Sequence, residues 1–148
     1  MDEAGLPDQY RRVLLEMHEA RVEAGGGSRR WNQLAERLQV LHLDLRVSGE
    51  GRRKISSLMA DSNPTVRCWA ATHSLFWDES TARLVLEREA CDEQSIAGFD
   101  AKMALREFNA GRLNTTWEPR RGRQGGQVSP RWREAITILC GPCRGCRG

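Results

Sequence analysis

Long apolar runs are missing from this chain; uninterrupted stretches, such as Val13-Leu14-Leu15, are only a few residues long. A membrane-spanning helix needs about 20 consecutive apolar residues, so none is expected. The start, Met1-Asp2-Glu3, lacks the basic-then-apolar pattern of a secretory leader, which points to the cytoplasm. Strand signals are equally scarce. No hairpin dipeptide joins two alternating runs, and the apolar spacing is helical. The five cysteines are an odd number without a leader, which argues against a disulfide framework. Cys68 and Cys91 fall inside helical patterns and are expected as buried, reduced thiols. A Gly-rich phosphate loop, a nucleophile elbow, a His-x-Glu pairing and a Glu-x-x-His helix are all missing, so no catalytic centre and no cofactor are expected. Gly25-Gly26-Gly27 is a linker: no strand precedes it and no Lys-Ser/Thr follows.

What is present is a chain of 148 residues, the length of one domain and long enough to bury a core without staples. The net charge of +3 hides an asymmetry. Residues 118–148 hold seven Arg and two Glu, a net of +5, which leaves residues 1–117 at −2, three minus five. A body of that sign is a poor general binder of nucleic acid, which needs a basic face to displace counterions.

The apolar periodicity predicts six helices. The first opens at Pro7 and carries Tyr10, Val13, Leu14, Met17 and Val22 on one stripe. Ser28 is placed to cap the second, whose stripe is Trp31, Leu34, Ala35, Leu38, Leu41 and Leu45 and whose end falls near Ser48-Gly49. A third spans about 51–60, with Ile55, Leu58 and Met59 inward. A fourth, about 65–77, is apolar on two sides and so is packed between neighbours. The fifth, about 80–90, uses Ala82, Leu84, Val85 and Leu86. The sixth, about 96–110, uses Ile96, Phe99, Ala101, Met103, Ala104, Leu105 and Phe108, with Gly111 as its stop. These helices form a body over 1–117. The tail, 118–148, is expected to be flexible and basic, with one short helix over 130–140.

The most specific stretch is Asp61-x-Asn63-Pro64-x-Val66-Arg67-x-x-Ala70-Ala71. Asp61 and Asn63 can cap exposed amides at the turn, and Pro64 pre-sets the first helical turn. Val66 makes the first core contact, and the alanine pair lets a neighbouring helix approach. Arg67 can reach back to Asp61 or across to a carboxylate of the next helix pair. The pattern resembles the helix-turn-helix unit of HEAT repeats. Over 44–113 the chain resembles a bacterial family catalogued as domain of unknown function number two thousand and nineteen. Leu45-Arg46 with Gly49 and Gly51, the Asn63 to Ala71 stretch, Ala82, Leu86, Gly98, Ala101-x-x-Ala104-Leu105 and Gly111-x-Leu113 carry that likeness. The resemblance implies a short HEAT-like α-α superhelix and no particular activity.

In a HEAT-like stack the helices at about 65–77 and 96–110 lie side by side and line a concave face. Arg67, Thr72, Lys102, Arg106 and Asn109 are the polar positions between their buried stripes. The expected role of this small basic face is to bind a protein with an acidic surface, in the manner of an immunity or inhibitor protein, by analogy with other solenoids. The alternative is a nucleic-acid-associated module acting through the Arg-rich tail. Ranked last is a metal site at Cys140-x-x-Cys143-x-x-Cys146, three thiolates at ligand spacing that lack a fourth ligand. His18 and His42 are expected at helix edges and His73 in the core. Trp69 and Trp77 are expected inside, and Trp31, Trp117 and Trp132 partly exposed.

Overall fold

A computed structural model describes residues 5–24 and 29–119 of the chain. Ser28, nearly all of the basic tail, the helix expected over 130–140, Trp132, and Cys140, Cys143 and Cys146 lie outside the described residues. Among the described residues there are six α-helices and no strand. They are α1 (Leu6–Ala24), α2 (Arg29–Arg46), α3 (Gly49–Ser57), α4 (Pro64–Ser74), α5 (Glu79–Ala90) and α6 (Ile96–Asn109), with a 3-10 turn, Leu58–Ala60, extending α3. None of these helices is long and apolar enough to cross a membrane.

Local chemistry sets the helix ends. Asn63 Oδ1 accepts from Thr65 N and Val66 N at 2.9 and 3.3 Å, with Pro64 as the first residue of α4, as the sequence predicts. α2 ends at Arg46, close to the expected Ser48-Gly49, and Ser48 caps α3: its Oγ accepts from Gly51 N at 2.9 Å. Ser95 repeats the device at α6, accepting from Gly98 N at 2.8 Å. Both glycines are required by close approach. A Cβ at Gly51 would stand 1.8 Å from the Leu45 carbonyl oxygen, and one at Gly98 2.0 Å from that of Asp92. In each turn the obstructing carbonyl lies six residues upstream, and the two turns are 47 residues apart, 98 minus 51. Gly111, at φ 73°, stops α6, and the Arg112 and Leu113 amides bond back to the Glu107 carbonyl.

α4 is the central element and packs against α1, α3, α5 and α6. Every residue from Cys68 to Ser74 is buried, so the two apolar sides read from the sequence close into a helix covered all round. Ala70 and Ala71, both fully buried, admit the neighbouring helices, and Tyr10, Leu14, Met17, Leu38, Ile55 and Leu86 fill the space around them. Each such large side chain contributes about 1.5–3 kcal/mol on burial. Past α6 the chain turns back to α2. Gln39 Nε2 donates to the Thr115 and Trp117 carbonyls at 2.9 and 2.7 Å, and Leu113, Thr115 and Trp117 are buried in alternation.

Several side chains lie where the periodicity did not put them. Trp31 is buried against Trp69 with ring centroids 6.4 Å apart, and Trp117 is buried by the returning segment. Val22, Leu84, Ile96 and Phe99 are exposed: among the described residues, no further helix covers these sides of α1, α5 and α6. Cys91 is exposed as well; it closes α5, and its thiol donates to the Glu87 carbonyl at 3.3 Å.

Candidate functional site

The face expected from the sequence does not hold together. Thr72 is buried, and its Oγ1 donates to the Cys68 carbonyl at 2.8 Å. A hydroxyl satisfied inside its own helix explains why a polar residue tolerates this position, and it removes Thr72 from any binding face. Arg67 ties α4 to its surroundings. Its Nε donates to Glu89 Oε1 of α5 at 2.5 Å, and its Nη1 to the Asp61 and Ser62 carbonyls at 2.9 Å each. The reach across to the next helix pair is therefore present, while the Asp61 carboxylate itself is taken by Arg11 Nε at 2.7 Å. Lys102 and Arg106 remain exposed on α6, with Lys102 3.8 Å from Glu93, and Asn109 accepts from Arg83 Nη1 at 2.8 Å.

The histidines are more interior than their spacing suggests. His73 lies in the core as expected. His42, expected at an edge, is fully buried and stacks on His73 with ring centroids 3.6 Å apart and planes 5° from parallel. Tyr10 Oη is hydrogen-bonded to His73 Nδ1 at 2.7 Å, and His42 Nδ1 is 3.3 Å from Gln39 Oε1. Burial, with Arg46 adding to it, pushes His42 down to about 3. Burial, then His42, then Arg46 hold His73 well below the usual imidazole range. Burial pushes the Tyr10 phenol far up. All three are neutral at pH 7 and sealed from substrate, so they form an interior support and not an acid–base site. His18 Nδ1 meets Thr65 Oγ1 at 2.8 Å.

That support ends at Trp77, in the turn between α4 and α5. Trp77 is half-buried and rests on α2. Its ring lies 6.3 Å from His42, and the Arg46 guanidinium stands over it at 5.6 Å. Its Nε1 donates to Ser56 Oγ at 2.9 Å, which in turn meets Ser74 Oγ at 2.9 Å. Beside the indole opens a cleft of about 390 Å³ lined by Gly49, Arg52, Arg53, Ser56, Trp77 and Asp78. It continues past Trp77 into a shallower surface bounded by Asp78, Glu79, Ser80 and Arg83. Phe76 is exposed next to it and meets Phe108 edge-on at 5.6 Å, and Arg83 stands over the Phe108 ring at 5.4 Å.

The charges around this cleft are uneven. Among the described residues, no carboxylate pairs with Arg46, Arg52 or Arg53. Arg46 Nη1 is buried without an acceptor, and burial followed by the neighbouring Arg52 lowers the Arg46 pKa. Arg52 Nη1 donates to the Arg46 carbonyl at 2.9 Å, which closes the end of α2. Arg52 and Arg53 lie midway along α3, and Lys54 lies in its last turn, where the helix dipole favours a cation. Glu50 offsets only Lys54, at 3.8 Å. The opposite rim is acidic at Asp78 and Glu79, with Glu79 paired to Arg83 at 2.9 Å. Sequence reasoning passed over Arg46, Arg52, Arg53 and Phe76. The signal available was a run of three consecutive cations, Arg52-Arg53-Lys54, together with the aromatic Phe76-Trp77 pair at a helix end.

Among the described residues, no group of three or more His, Cys, Asp or Glu is placed to hold a metal ion. No family model, curated protein or solved structure matches the chain.

Proposed function

We propose that the chain is a non-catalytic, HEAT-like helical-repeat module that binds another protein through the surface around Phe76 and Trp77. The observation that carries this reading is a half-buried Trp and an exposed Phe beside three arginines without carboxylate partners. Trp and Arg are the residue types that dominate binding energy at protein interfaces. The HEAT-like part draws support from the Ser-x-x-Gly turn that recurs after 47 residues, a spacing within the roughly 40–47-residue period of HEAT and armadillo repeats. An immunity or inhibitor role fits such a surface by analogy. Asp78 and Glu79 on the rim weigh against a nucleic acid, whose every residue brings a negative charge.

The test is photo-crosslinking inside the cell that makes the protein. Phe76 is replaced by a photoreactive phenylalanine analogue, and, in a control, exposed Gln33 of α2 is replaced by the same residue. A discrete protein adduct from position 76 and none from position 33 is the expected result. Equal adducts from both positions, or a nucleic-acid adduct at 76, would sink the proposal.

A further inference from the structure

We infer that Arg52 and Arg53 form a carboxylate seat, so that the Trp77 cleft takes an acidic segment of a partner protein with an apolar residue beside its Asp or Glu. This rests on the protein-binding reading and names the chemistry recognised.

The first argument is electrostatic. Among the described residues, Arg46, Arg52 and Arg53 gather beside one indole with no carboxylate partner, and an Arg46 nitrogen is buried with no acceptor. Like charges this close repel, and after burial it is Arg52 that lowers the Arg46 pKa. An incoming carboxylate supplies the missing countercharge, and guanidinium forks match carboxylate geometry in pairs. The second argument is rigidity. The absent side chain of Gly51 lets the start of α3 close on the Leu45 carbonyl, and Arg52 is held by the Arg46 carbonyl. Trp77 is held by Ser56, His42 and Arg46. A seat built on fixed groups loses little freedom on binding.

The third argument separates ligand classes. The surface is polarised, cationic at Arg52 and Arg53 and anionic at Asp78, with Glu79 offset by its pair with Arg83. A chain that is negative at every residue meets repulsion at Asp78. A peptide with an acidic residue followed by apolar or donor groups meets none. The volume of about 390 Å³ suits one or two side chains rather than a folded element, near the lower end of ligand pockets.

The experiment follows the Trp77 indole N–H resonance in the full chain, assigned by its loss in Trp77→Phe. Three probes are titrated: a short peptide of alternating Glu and Leu, its counterpart with Gln for Glu, and a short oligothymidylate. A saturable shift with the Glu peptide alone is expected, weakened about tenfold in Arg53→Gln, as for loss of one charge-assisted contact. Arg53 is exposed, so the variant leaves the fold intact, and Lys102→Gln, an exposed cation elsewhere, should bind like the parent chain. No response to the Glu peptide, or an Arg53→Gln variant that binds it unchanged, overturns the seat. Equal responses to the Glu and Gln peptides also overturn it, yet leave the protein-binding reading standing. A response to the oligonucleotide alone overturns both.

Discussion

The two flanks of α4 bury polar groups in opposite ways. Toward α1 and α2 the interior is neutral: Tyr10, His73 and His42 stack and hydrogen-bond without a formal charge. Toward α5 and α6 it is ionic. Arg67 reaches Glu89, and Arg21, in the last turn of α1, grips Asp100 of α6 with both terminal nitrogens, one of them at 3.1 Å. Both Arg21 and Asp100 side chains are largely buried. Burial raises the Asp100 carboxyl to about 6, against the opposing pull of Arg21. The contrast separates two uses of interior polarity. A neutral stack can be exchanged for apolar groups of like shape at little cost, because no charge is orphaned. An ion pair that joins residues 79 apart fixes which helices meet and is expensive to halve.

Breaking the ionic flank gives the largest expected effect. Asp100→Ala leaves the Arg21 charge without this buried partner and should cost about 3–5 kcal/mol in urea denaturation. A loss under about 1 kcal/mol would mean that the pair sits in solvent and that the two flanks do not differ. Next come the turns that the flanks share. Gly51→Ala and Gly98→Ala each set a methyl against a backbone carbonyl, and each should cost about 1–3 kcal/mol. Similar midpoint shifts are expected, since the two turns are built alike; a silent Gly98→Ala would show that only the α2–α3 turn is tight.

The smallest effect sharpens the comparison most. His42 already has one ring nitrogen without a partner, so His42→Phe should change stability at pH 7 by less than about 1.5 kcal/mol. Its signature lies in acid. The folded state holds His42 and His73 neutral while the unfolded chain protonates near 6.5. The contribution of His42 is complete above pH 6.5 and is lost as pH falls toward about 3, and that of His73 is lost in the same direction. Asp100 runs the other way: its folded pKa is raised from 3.8 to about 6, so its contribution is complete below 3.8 and lost as pH rises through 6. Melting temperature measured from pH 7 to pH 4 should therefore fall less in His42→Phe than in the parent chain. Parallel curves would place the acid sensitivity outside the stack.

Much of the helical framework was legible, because caps and periodicity are local. Asn63-Pro64 and Gly111 act as their types dictate. The boundary near Ser48-Gly49 was legible too, but a serine between two helices does not say which it serves, and only the bond to Gly51 decides. The binding face was not legible. Thr72 and Lys102 look alike as polar gaps in an apolar stripe, but one lies in a helix covered on every side and the other on the outermost helix. His42 hid for the same reason: its stacking partner is 31 residues away, 73 minus 42. The Trp77 cleft draws on α3 and the α4–α5 turn, elements separated by the whole of α4, and no short window along the chain contains it.

The bond from Gln39 to the returning segment has a consequence for synthesis. Its buried amide donates to carbonyls 76 and 78 residues further on. At about 5–20 residues per second, the ribosome takes on the order of four to sixteen seconds to deliver those acceptors after Gln39. Throughout that interval the nascent chain carries α2 with an unquenched polar group on its inner side and the seat of Trp117 vacant. The strap that covers this side of α2 is thus made only after all six helices of the body, so, among the described residues, its docking is the one contact of α2 that must wait for the whole body to be synthesised.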